Sequence, residues 1–97
     1  MTLTSEDIIA VWAKGFAVGD NDPGKWRKDK CGAWMQFSKY GNRDSDYGWE
    51  VDHIIPGDDN SPSNLRPLQW VNNVEKSDGR LTCPMIAQDT HNVRKNW

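Results

Sequence analysis

Between residues 52 and 78 the sequence gathers groups that bind metal ions and move protons: Asp52, His53, Asn64, Asn72, Asn73, Lys76 and Asp78. A hard divalent cation, Mg²⁺ or Mn²⁺, takes oxygen donors, and an Asp carboxylate with an Asn carbonyl supplies them without filling every coordination position. Positions then stay open for water and phosphate oxygens. A neutral imidazole takes a proton from water near neutral pH. Asp52 and His53 are neighbours, and neighbouring side chains of a regular strand point to opposite faces. If both serve one site, a strand end or a bulge near Pro56 and Gly57 has to re-aim one of them.

The order of these residues is specific. The run Gly48-Trp49-Glu50-Val51-Asp52-His53-Ile54-Ile55-Pro56 is followed by Asn64-Leu65-Arg66-Pro67-Leu68-Gln69-Trp70 and then by Asn73-Val74-Glu75-Lys76-Ser77-Asp78. The chain resembles the HNH endonucleases (ββα-metal, His-Me finger), both small bacterial and phage proteins and the HNH domain of RNA-guided CRISPR nucleases. The resemblance implies a metal-dependent enzyme that hydrolyses phosphodiester bonds of DNA by nicking or double-strand cleavage, with one divalent cation. It assigns Asp52 and Asn73 as metal ligands, His53 as the general base, and Asn64 as the brace of the loop between two strands. A slip of one position would put Asn72 in place of Asn73, and the Lys76-Ser77-Asp78 ending favours Asn73. Arg66, Lys76, Arg27 and Lys28 are candidates for nucleic-acid contact. The implied partners are DNA and, as in some short relatives, a terminase-type or other protein.

Two departures matter. Family members often carry a longer, glycine-rich loop, whereas here eleven positions separate His53 from Asn64 and include Asp58 and Asp59. Such a loop would repel phosphate or add an oxygen ligand. Paired Cys-x-x-Cys motifs, which hold zinc in many relatives, are absent, so the six tryptophans and the first helix would have to stabilise the domain.

The elements that must position this set can be sketched. Thr4 or Ser5 caps a helix over residues 5–17, with acids in its first turn and Ile8, Ile9, Trp12 and Phe16 at helical spacing. Gly19 and the turn-forming residues 20–24 end it. Residues 31–40 partly alternate and suggest a short strand; residues 47–55 suggest another, closed by Pro56 and Gly57. Residues 65–70 suggest a further strand and 71–77 a helix. The expected fold is α+β: a ββα-metal unit (motif core 47–79) with an added N-terminal helix, in one domain spanning 1–97. Trp12, Trp34, Trp49 and Trp70 are expected in the core. The tail from Arg80 is expected to be pinned by Cys83, Pro84, Met85 and Ile86 before a polar end.

At 97 residues the chain supports one core. A hydrophobic content of 36% and no long apolar run exclude a membrane span and any membrane partner. Nothing near the N-terminus reads as an export signal, so the cytoplasm is the expected compartment, with Cys31 and Cys83 as free thiols. A net charge of −2 opposes phosphate binding, but the basic residues cluster at 25–30 and could form a local face. Two rivals stand beside the nuclease: a non-catalytic or regulatory protein-binding factor on an HNH scaffold, and a structural zinc module using Cys31, His53, Cys83 and His91.

Overall fold

In the computed structural model, which describes residues 3–57, 59–77 and 79–95, the chain is a small mixed α+β domain. Asp58 of the acidic loop and Asp78 of the motif ending lie outside the described residues. The helix α1 (Ser5–Trp12) starts on a capping box in which Thr4 and Asp7 satisfy each other's backbone N–H groups. It stops earlier than its apolar spacing suggests: residues 13–15 turn away, and Phe16 pairs with Lys28 and stands 55% exposed. Arg27 donates to the Ala13 and Gly15 carbonyls, which a longer helix would use for its own bonds.

Three antiparallel hairpins follow. The first pairs β1 (Trp26–Lys28) with β2 (Trp34–Gln36), the second β3 (Trp49–His53) with β4 (Leu65–Gln69), and the third β5 (Met85–Gln88) with β6 (His91–Arg94). A short helix α2 (Trp70–Val74) leaves β4 directly, its first amides capped by the Gln69 side chain, and packs on β3 and β4. The strand–strand–helix order expected over residues 47–77 is therefore present, with shorter elements. The tail is more structured than expected, because β5 and β6 close on a two-residue turn in which Asp89 takes a positive φ of 54°.

The main core joins Val11, Trp12, Met35, Trp49 and Leu65, so α1 covers the face of the second hairpin that carries Trp49. Trp12 and Trp49 pack 5.1 Å apart, and truncating either indole would cost roughly 3–5 kcal/mol. Trp34 is buried as expected, while Trp70 is only partly covered, beside Ala33, Val71 and Met85. Gly48 enters β3 where a Cβ would stand 1.9 Å from the Asn42 carbonyl oxygen, which leaves room for no other residue.

Cys31 and Cys83 are not free thiols but a disulfide, with Cα atoms 5.3 Å apart, joining the β1–β2 turn to the segment before β5. This removes both cysteines from the zinc-module ligand set. Disulfides persist in oxidising compartments, so the pairing corrects the expectation of free thiols, which followed from a reducing cytoplasm. Among the described residues no helix is long and apolar enough to cross a membrane.

In place of a zinc brace stands a buried polar knot. Asp29 Oδ1 accepts from the Cys31 and Ala33 amides, and Oδ2 from the Gln69 amide and the Asn72 side chain. Asn72 also exchanges two bonds with the Met85 backbone. One carboxylate thereby ties the first hairpin, the second hairpin, α2 and β5 together. The tryptophans and α1 are thus only part of what stabilises the domain.

Candidate functional site

β3 and β4 pair without interruption from Trp49 opposite Gln69 to His53 opposite Leu65. The ladder contains no bulge, so of the two expected ways to re-aim Asp52 or His53 only the strand end remains, with His53 the last residue of β3. The two side chains meet different partners. Asp52, 2% exposed, faces the α2 side: Arg66, directly opposite on β4, donates from Nε to Oδ2 at 2.7 Å, and Lys76 Nζ donates to Oδ1. Lys76 also donates to the His53 carbonyl at 3.0 Å. Both Asp52 oxygens are thus held by cations.

Glu50 shares the Asp52 face by strand alternation. Asn73 of α2 donates to Glu50 Oε1 at 2.9 Å, and Arg43 grips the same carboxylate with two bonds. Burial pushes Glu50 up, but the bonds from Arg43 and Asn73 and the Arg43 charge outweigh it and hold the carboxyl below its ordinary value. Asn72, by contrast, is fully buried with its amide spent on Asp29 and Met85, so of the two adjacent asparagines only Asn73 faces this side of β3.

His53 Nε2 lies 2.7 Å from Asn60 Oδ1. An amide oxygen accepts only, so Nε2 carries the hydrogen, and in the neutral form of the ring the lone pair is on Nδ1. The spacing of Asn60 in a polar loop gave no warning of this role. Asn64, 5% exposed, braces that loop: its side chain accepts from the Ile55 amide and donates to the Asp59 and Ile55 carbonyls, while its own carbonyl accepts from Ile54. Asp59 bonds the Ser61 hydroxyl and amide, which hold its carboxyl below the ordinary value, with the His53 charge acting in the same direction.

The other sequence candidates lie apart from this set. Arg27 turns onto the carbonyls of Ala13, Gly15 and Pro23, and Lys28 stands 4.9 Å over the Trp34 ring. Nearer the site, a cleft of about 90 Å³ is lined by Lys14, Lys30 and Arg66, and a second one touches both Lys14 and Asn60. Lys14 donates to the Pro62 and Leu65 carbonyls, and the carboxylates Asp29 and Asp7 line the first and second cleft beside it. His91 is exposed on β6, outside the set.

No cluster of three His, Cys, Asp or Glu side chains suited to a metal ion occurs among the described residues. Asp52 Oδ1 and the His53 carbonyl together hold the Lys76 ammonium, and Glu50 and Asn73 bond each other on the same side of β3. Carboxylate and carbonyl oxygens are donors a hard divalent ion accepts. Comparison with protein-family models, with curated proteins and with solved structures finds no match to this chain.

Proposed function

We propose that the chain is a metal-dependent endonuclease that hydrolyses phosphodiester bonds of nucleic acid, DNA first, on a ββα-metal unit formed by β3, β4 and α2. The observation that carries this reading is the grouping on one small unit of two oxygens that hold a cation, Asp52 Oδ1 and the His53 carbonyl, with an imidazole oriented through Nε2 by Asn60 at that same residue. Asp52 and Asn73 would hold the ion. When bound, it polarises the scissile phosphate and steadies the leaving oxygen.

The protein's own groups do the rest. Water attacks phosphorus, and His53 Nδ1 takes its proton as the bond to the leaving oxygen breaks, that oxygen gaining a proton from solvent. Asn60 fixes the tautomer and ring plane, and Asn64 keeps the loop that carries Asn60 against the strand ends. Lys14 and Lys30 offer positive charge to the flanking phosphates. With Asp52 and His53 on opposite sides of β3, the attacked phosphate must lie at the strand's end, where both can reach it.

The test is cleavage of supercoiled plasmid by wild type and His53→Ala with Mg²⁺, Mn²⁺ or EDTA. Metal-dependent nicking that falls about 10²–10⁴-fold in the variant is expected, the range a general base contributes. Undiminished cutting by His53→Ala sinks the assignment. A partner-binding scaffold is the second reading, favoured by Ile55, 70% exposed, and Ile54, 39% exposed, beside His53. No cutting by wild type with any metal would turn the choice to it.

A further inference from the structure

We propose that Lys76 is a tethered cation that occupies the metal position at Asp52, so that its ammonium and a divalent ion exclude each other. The inference rests on the metal-nuclease reading and adds to it how the site is kept in the absence of metal. Asp52 is a single negative charge, and Arg66 alone, on Oδ2, already neutralises it. Lys76 brings a second cation to the other oxygen, so one carboxylate faces two positive charges at a position 2% exposed. A surplus buried cation is costly unless oxygen atoms surround it. Here Asp52 Oδ1 and the His53 carbonyl do so, which is the donor chemistry of a hard-ion site.

A divalent ion on Asp52 Oδ1 would meet the Lys76 ammonium at contact distance, where two cations repel strongly in a poorly solvated pocket. Lys76 is free to leave. It lies two residues beyond the end of α2, outside any helix or strand, and a flexible four-carbon stem carries its charge. Arg66 is less free, since it sits within the paired strand β4 directly opposite Asp52. On leaving, Lys76 would swing into solvent at the strand end, where a substrate phosphate would take it up. The site would then exchange an internal cation for metal and substrate together.

The experiment is calorimetric titration of the whole purified chain with Mn²⁺, without nucleic acid, for wild type, Lys76→Gln and the double variant Lys76→Gln/Asp52→Asn, after circular dichroism has established that each is folded. Lys76→Gln is expected to bind Mn²⁺ about tenfold or more tightly than wild type, as removal of one partly buried competing charge implies. The double variant is expected to lose that gain. Equal affinities for wild type and Lys76→Gln, or a gain that survives loss of Asp52, overturn the proposal.

Should the variants not fold, the wild type supplies the answer. The NMR signal of the Lys76 ammonium, protected by its two bonds, should vanish as Mg²⁺ is added; a signal that persists at saturating metal overturns the tether. Plasmid cutting by wild type is scored separately. Cutting with equal Mn²⁺ affinities removes the tether and leaves the nuclease. The Mn²⁺ signature without any cutting does the reverse.

Discussion

Two aspartates are equally buried in this domain, each 2% exposed, and the chain treats them in opposite ways. Asp29 meets four neutral N–H donors from three separate elements and no cation. Asp52 meets two cations and no backbone amide among the described residues. Three backbone amides and one buried side-chain amide, all neutral, hold one carboxylate in one place, so Asp29 behaves as a structural pin. Cations on long side chains can be exchanged, so Asp52 can be both buried and functional. In this fold the kind of partner, more than burial, separates the two aspartates.

The largest effect expected on the scaffold side comes from the disulfide beside Asp29. Cys31 and Cys83 are 52 residues apart in sequence, and in the chain-entropy model closing a loop of that length stabilises by about 4 kcal/mol. Urea denaturation with and without reductant should therefore show a loss of that order. A loss below roughly 1 kcal/mol would mean that the Asp29 knot alone holds the β1–β2 turn to the segment before β5.

Next comes the direct contrast. Asp29→Ala leaves the Cys31, Ala33 and Gln69 amides and the Asn72 side chain without their acceptor in the core, at roughly 3 kcal/mol or more. Asp52→Ala removes two ion pairs whose cations, 19% and 12% exposed, keep a path to water, so a cost of about 1–2 kcal/mol, up to about 1 for each pair, is expected. Metal affinity should respond in the reverse order, with Asp52→Ala abolishing it and Asp29→Ala sparing it in the folded fraction. Denaturation midpoints and Mn²⁺ titration of both variants check the pair. A larger stability loss at Asp52 than at Asp29 breaks the contrast.

The two aspartates also differ in how readable they are. Asp52 stands next to His53 in a strand-like run ahead of Asn64, Asn73 and Lys76, so residue types and order were enough to single it out and to place β3, β4 and α2 within a few residues. The Thr4 capping box announced the start of α1. Asp29 was hidden inside a run of lysines that reads as a solvated face, though an aspartate two residues before a turn at Cys31-Gly32 is an Asx-turn signal. The disulfide was illegible because a pairing across 52 residues leaves no local trace. Helical spacing carried Phe16 into α1 in the sequence reading, whereas its actual partner, Lys28, lies on another element.

The smallest effect, and the sharpest on sign, is in the pH dependence of two carboxylates. Burial pushes Asp29 above its ordinary value of 3.8, outweighing the bonds from Asn72, Gln69, Ala33 and Cys31. A raised folded value means a stabilising contribution that is full in acid, below 3.8, and lost as pH rises through the folded value. Glu50, held below 4.5 by Arg43 and Asn73 despite its burial, has the opposite sign: its contribution is full above 4.5 and lost as pH falls through the folded value. Thermal midpoints of wild type, Asp29→Asn and Glu50→Gln measured from pH 3 to 7 should therefore diverge in opposite directions. The advantage of wild type over Glu50→Gln should shrink toward acid, while its advantage over Asp29→Asn should grow. Two differences that move together would mean that the bonds from Arg43 and Asn73 do not hold Glu50 in solution, and the cationic side of β3 would then resemble the neutral knot rather than oppose it.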